Sequence, residues 1–257
     1  GHHFTNIIFH SIVTLTVYLL FLTLLAGNRW PALAGATLFA LHPIHTHSVS
    51  SVMGRTDILS TAFFLWAFIL LINLNRQDAR HLRHISLLAA CLCFLSSLLC
   101  KEMAVTLPLI FILYRFCWDT NKCPWRDKAF LIPLLFLIGT LCVYLALRVM
   151  AVGMSGQQTA LPCCYSLEQR IWLVSVTLGF YLQKLLFPLQ LCYYSNMVVP
   201  GSWSEIFTSS LFLTSIVWLI GVAVSLKYSL HFGFALGWIG LSLLPVLNII
   251  MLPDLAK

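Results

Sequence analysis

The stretch Leu41–Ser60, LHPIHTHSVSSVMGRTDILS, places three histidines, an arginine and an aspartate inside an otherwise apolar chain. Pro31–Leu41 and Ile58–Leu74, both apolar, flank it and read as membrane spans. Ionisable groups beside membrane spans are costly, so they line a cavity or a water interface and do a job there. We read this stretch as one wall of an active site.

The composition supports the membrane reading. Of 257 residues, 60% are apolar and only 9% charged, and the mean hydropathy is +0.92. A soluble domain carries about 25% charged residues, so this chain has too few to cover a water-facing surface. The expected fold class is all-α: a polytopic membrane protein whose helices form a bundle. The net charge of +7 comes from basic residues spread over short loops, not from a stripe, which favours cytoplasmic anchoring over nucleic-acid binding. Of the nine cysteines, Cys91, Cys93, Cys100, Cys117 and Cys142 fall in or at the ends of apolar runs, where they serve as small hydrophobes. Cys163, Cys164 and Cys192 fall in loops, where an oxidising compartment would allow a pair. The chain opens on Gly1 and enters a span almost at once, with no secretory leader pattern, as expected of a fragment.

In chain order, spans are expected at Asn6–Ala26, Pro31–Leu41, Ile58–Leu74, Ile85–Leu99, Met103–Trp118, Ala129–Leu147, Ser210–Leu226 and His231–Ile250. That makes about eight transmembrane helices. A ninth segment, Ile171–Gln190, carries Tyr181, Gln183, Lys184 and Pro188 and is expected to lie in the interface. Arg76, Arg80 and Arg83 mark one loop as cytoplasmic, and Lys122, Arg126 and Lys128 mark another. Counting sides from these loops puts His42–Asp57, Lys101-Glu102 and the loop after Arg148 together on the far face.

His42 and His45 would share a face on a continuing helix, and His45 and His47 on an extended turn. No cysteine or carboxylate lies close by, so a zinc site is not expected. The histidines either hydrogen-bond helix ends at the interface or contact substrate. Arg55 and Asp57 would meet only in a turn begun by Gly54, and Asp57 also suits an N-cap of the following span. Lys101-Glu102 either neutralise each other or face a ligand. Arg55, Lys101, Arg148, Arg170 and Lys184 together give the far face the donors that phosphate recognition needs. The balance suits an anionic, membrane-borne substrate such as a lipid phosphate.

The segment LFALHPIHTHSVSSVMGRTDILSTAFFL resembles the multi-spanning part of the transmembrane-and-TPR protein O-mannosyltransferases, whose pattern reads approximately LHPxHTEAVxxxxGRxDLLxxxFFL. Gly1, His3, Asn6 and His10 fit the family's GYHxxNxxxH, and Lys101-Glu102 with Thr106-Leu107-Pro108 its KExxxTLP. Arg170 to Pro188, Tyr194-Ser195, and Leu244-Pro245 with Asn248 fit further family motifs, so the resemblance runs along nearly the whole chain.

The resemblance implies a GT-C-type glycosyltransferase of the endoplasmic reticulum membrane, with the far face in the lumen. Such enzymes carry mannose from dolichyl-phosphate-mannose, a substrate and not a cofactor, to Ser or Thr of secretory-pathway proteins. Asp57 and Glu102 are then the catalytic candidates, His42, His45 and His47 contact substrate, and Arg55, Lys101, Arg148, Arg170 and Lys184 meet the lipid phosphate. The chain departs from the family at His47, where the pattern has Glu, and at Tyr193, where it has Asp. The family's first lumenal loop with its acidic pair, and its TPR array, are not in this sequence. Two other readings stay open: a non-catalytic scaffold on the same fold, and an ion or proton transporter using the histidine cluster.

Overall fold

A computed structural model describes residues 1–74, 79–118, 127–152, 167–189, 191 and 210–247. Arg76, Lys122, Arg126, Cys163, Cys164, Cys192, Tyr193 and Asn248 lie outside these residues, as does the side chain of Arg80. All regular structure among the described residues is helical: α1 His2–Leu24, α2 Arg29–Leu41, α3 Thr46–Ser50, α4 Arg55–Asn73, α5 Arg80–Cys100, α6 Leu107–Trp118, α7 Lys128–Val152, α8 Leu167–Leu186, α9 Ser210–Tyr228 and α10 Leu230–Leu243. The chain is an all-α, polytopic membrane protein.

Among the described residues, five helices are long and apolar enough to cross a membrane: α1, α4, α5, α7 and α9. The remaining expected spans correspond to α2, α6 and α10, with 13, 12 and 14 residues. At 1.5 Å per residue α2 and α6 each cover roughly 20 Å, short of about 30 Å of hydrocarbon, while α10 runs on through a 3-10 turn to Val246. Shortening has local causes. His42, before Pro43, is extended at ψ 124°, which ends α2 at Leu41. The expected Met103–Trp118 span divides into a 3-10 turn, Glu102–Thr106, and α6.

Two compact units form, Gly1–Arg115 with Asn121–Leu147 and Phe116–Thr120 with Arg148–Lys257. In the first, α1 ends in a left-handed residue, Ala26 at φ 52°, and the Gly27 N–H reaches back to the Leu22 carbonyl at 2.8 Å. This Schellman-type stop turns the chain before α2, so α1 and α2 pack together, and α4 packs on both α1 and α5. Phe68, Phe94, Leu107, Ile110, Phe130 and Leu137 fill the core, while Phe4, Leu15, Leu88 and Leu135 point outward. Such an outward apolar surface is excessive for water and ordinary for lipid. Hydroxyls along α1 bond back one turn, Ser11 to Ile7, Thr16 to Ile12 and Thr23 to Leu19, each at 2.9 Å, which satisfies them where no water reaches.

A serine clasp fixes α4 against α5. The Ser97 hydroxyl donates to the Ser60 carbonyl at 2.7 Å, Ser60 Oγ donates to the Ser97 carbonyl at 3.1 Å, and the two hydroxyls lie 3.1 Å apart. Small polar residues of this kind let membrane helices approach closely. Away from the histidine stretch, Asp127 accepts from the Ala129 N–H at 2.9 Å, capping α7, and pairs with Arg115 at 2.7 Å.

In the second unit α9 packs against α8 and α10. Gly179 makes the α8 contact: an added Cβ would lie 1.9 Å from the Leu211 carbonyl oxygen. Gln183 donates to the Thr214 hydroxyl at 3.0 Å across the same contact.

Candidate functional site

The site begins with Asn6, one turn into α1 and fully buried. Its amide nitrogen donates to the carbonyls of Val49 at 3.2 Å and Ser51 at 2.8 Å, and its oxygen accepts from Arg55 Nε at 3.2 Å. A helix residue thereby stitches down the irregular stretch after α3. Gly54 completes the turn by close approach, since a Cβ there would lie 2.3 Å from the Ser48 carbonyl oxygen. Only a residue with no side chain lets α4 start against α3.

One turn beyond Asn6 on the same face of α1, His10 stacks on Phe39 with ring centroids 5.6 Å apart, and its Nε2 lies 3.4 Å from the Ala40 carbonyl. His45 leans on both rings, 4.4 Å from Phe39 and 5.3 Å from His10. His42 meets His45 edge-on at 6.2 Å. Burial, then the fields of His10 and His42, push the His45 imidazole down to about 4. It is neutral at physiological pH.

His10, Val13, Phe39, His45, Ser48, Asp57, Ile58 and Thr61 line a cleft of about 70 Å³. Ligand pockets run from about 300 Å³, so this one takes a functional group and not a whole sugar. Asp57 sits on its wall and forms an ion pair with Lys101, at the end of α5, with side chains 33% and 38% exposed respectively. Chemically the cleft offers a carboxylate oriented by an ammonium, a neutral imidazole, and apolar walls.

Several expectations are corrected by this geometry. Asp57 is not an N-cap; Gly54 holds that position and α4 starts at Arg55. Asp57 lies in the first turn, where the helix dipole favours its charge, and reaches across to Lys101. Arg55 and Asp57 do not pair, because Arg55 turns to Asn6 and to His2 Nδ1 at 3.4 Å. Lys101 pairs with Asp57, and Glu102 opens the 3-10 turn that follows. His42 and His45 approach through a 3-10 turn and not on a continuing helix.

The expected helix-end role holds for His42, whose Nδ1 accepts the Ile44 N–H at 3.2 Å. His47 is exposed on α3 and does not line the cleft. Among the described residues, no cluster of three or more histidines, cysteines or carboxylates could hold a metal ion. Arg148, Arg170 and Lys184 belong to the second unit. There Arg148 and Arg170 are exposed, and Lys184 donates to the Leu189 carbonyl at 2.6 Å. The chemistry of Asn6 and His10 alone does not single them out in the sequence. Their signal is a polar pair four residues apart on one face of a membrane helix.

No family model matches the chain, and no solved structure matches it. Curated relatives do. Protein O-mannosyl-transferase Tmtc1 of Drosophila melanogaster is 37% identical over 112 residues, 43% of this chain and 12% of that protein. Protein O-mannosyl-transferase TMTC3 of Homo sapiens is 42% identical over 69 residues, 27% of this chain and 7% of that protein. TMTC4 of Homo sapiens is 32% identical over 121 residues, 41% of this chain and 16% of that protein. The alignments span less of the chain than its motifs suggest, and the chain spans about an eighth of the length of the first of these relatives. Over these aligned parts the chain is similar to proteins named protein O-mannosyl-transferases.

Proposed function

We propose that this chain forms part of a membrane-embedded protein O-mannosyltransferase of the endoplasmic reticulum. The donor is dolichyl-phosphate-mannose, and the acceptors are Ser and Thr hydroxyls of secretory-pathway proteins on the lumenal side. The observation that carries the reading is the Asp57–Lys101 pair on a narrow, polar-tipped cleft, in a chain akin to proteins named protein O-mannosyl-transferases.

The chemistry follows from the parts. Displacing the lipid phosphate from mannose requires a hydroxyl nucleophile, and a carboxylate within reach strengthens it by taking its proton. Asp57 is that base. The Lys101 ammonium fixes which carboxylate lone pairs face the cleft, and neutral His45 hydrogen-bonds the incoming hydroxyl without adding charge. Glu102, beside Lys101, is the second carboxylate available for the same role. Charge grows on the phosphate as it leaves, and cations near the membrane boundary stabilise it. His42 and His47 contact substrate beside it.

The test compares Asp57→Asn with Glu102→Gln in the full-length protein, using radiolabelled lipid-linked mannose. Loss of the base lowers transfer by about 10²–10⁴-fold, and the larger fall is expected for Asp57→Asn. Equal, near-wild-type rates in both variants would remove the catalytic role from this pair. Wild-type membranes without transfer would leave the scaffold reading, to which His47 and Tyr193 in place of acidic residues already point.

A further inference from the structure

The ionisable end of the first unit treats its cations unequally. Lys101 is matched by Asp57, and Arg115, elsewhere in the same unit, by Asp127. Arg55 is half-buried and hydrogen-bonded among the described residues to an amide, Asn6, and an imidazole, His2. Neither partner brings a negative charge. A guanidinium is charged at any pH a cell reaches, and beside a membrane such a charge is kept where an anion meets it.

The mode of holding points the same way. Arg55 Nε is occupied by Asn6 Oδ1, and only Nη2 touches His2. A guanidinium has five N–H donors in a fixed fork, so the terminal edge keeps donors for a bidentate oxyanion. Asn6 uses its two remaining donor contacts on Val49 and Ser51, which pins the backbone just before Arg55. Its side chain cannot rotate without breaking all three bonds. Arginine loses much rotamer freedom when it binds, and a group held beforehand by its Nε loses less.

We propose that Arg55, held by Asn6 and flanked by His2, is the seat of a lipid-borne phosphate, and that Asn6 is the positioning residue of that seat. This rests on the lipid-phosphate donor proposed above and narrows it: among the candidate cations Arg55 takes the phosphate, and Lys101 stays with Asp57. The lipid source is favoured over free phosphate because the cluster sits at the end of α1 and α4, two helices long and apolar enough to span.

The experiment measures retention of tritiated dolichyl phosphate by the full-length protein in phosphatidylcholine nanodiscs, with thermal unfolding followed in parallel. Arg55→Gln is expected to weaken retention about ten- to a hundredfold, as loss of a charge-assisted bond does. Arg29→Gln, a cation at the start of α2, is expected to change nothing. Asn6→Ala is expected to weaken retention several-fold.

Should Asn6→Ala fail to fold, Arg55→Lys carries the test, since lysine keeps the charge but lacks the planar fork that Asn6 holds. Full retention in Arg55→Gln overturns the seat. Weakening in Arg55→Gln with full retention in folded Asn6→Ala, or in Arg55→Lys, overturns the positioning role. Displacement by millimolar inorganic phosphate overturns the lipid assignment. The transferase reading fails separately: retention without any mannosyl transfer sinks that reading and leaves the seat, whereas wild-type transfer in Arg55→Gln sinks the seat and leaves the reading.

Discussion

Replacing Gly54 by alanine adds one methyl group at the tightest point of the site. The backbone of Gly54 is at φ −63°, so alanine meets no torsional penalty there. The cost is steric. The new Cβ would lie 2.3 Å from the Ser48 carbonyl oxygen, 2.5 Å from its Cα and 2.7 Å from its carbonyl carbon, all below the 3.0 Å that real Cβ atoms respect. These are backbone atoms, so no side chain can swing away, and α3 and α4 must separate by most of an ångström. Overpacking costs about 1–3 kcal/mol and occasionally more, and a backbone clash belongs at the upper end. For a chain of this size about 3 kcal/mol lowers Tm by roughly 6–12 °C. The same displacement moves Ser48 relative to Asp57 across the cleft, and a shift of about 1 Å in a catalytic array costs on the order of 10²-fold in rate. Differential scanning fluorimetry of the purified variant, beside its mannosyl transfer, reads both. A Gly54→Ala protein with wild-type Tm and wild-type transfer would refute the close approach and the site built upon it.

Two further expectations follow from the same unit. Ser60→Ala and Ser97→Ala should each cost about 0.5–1.5 kcal/mol, and the double variant should cost less than the sum, because the hydroxyls share bonds; strict additivity in a double-mutant cycle would contradict the clasp. His45 titrates near 4 when folded against 6.5 for the free side chain, so between those values the unfolded chain holds the extra proton. Stability should therefore be full above about pH 6.5 and fall as pH drops toward 4. The Tm of His45→Gln should depend less on pH than wild type from 7.5 to 5, and parallel curves would contradict the burial of His45.

Much of this architecture is legible in the sequence because it depends on local chemistry. The apolar runs give the helices, and Pro43 stops α2 at Leu41 through the residue before it. Counting sides from the basic loops predicts that the histidine stretch and Lys101 share a face, and the Asp57–Lys101 contact brings these two neighbourhoods together. What was not legible depends on partners distant in sequence. Asp57 and Lys101 are 44 residues apart, and Asn6 meets Arg55 across 49; nothing in either neighbourhood names the other. Asp57 before an apolar run gives the same local signal whether it caps the helix or sits in the first turn. Gly54, by approaching Ser48, starts the helix earlier and decides the matter. Likewise the histidine spacing fits a continuing helix or a 3-10 turn, and Pro43 selects the turn.

The most direct test of the account is transfer itself. Full-length protein in proteoliposomes, given radiolabelled dolichyl-phosphate-mannose and a Ser/Thr-containing acceptor domain, is predicted to place label on the acceptor by an O-linkage that β-elimination releases. An intact, folded protein that leaves the acceptor unlabelled, at the level of protein-free vesicles, would contradict it.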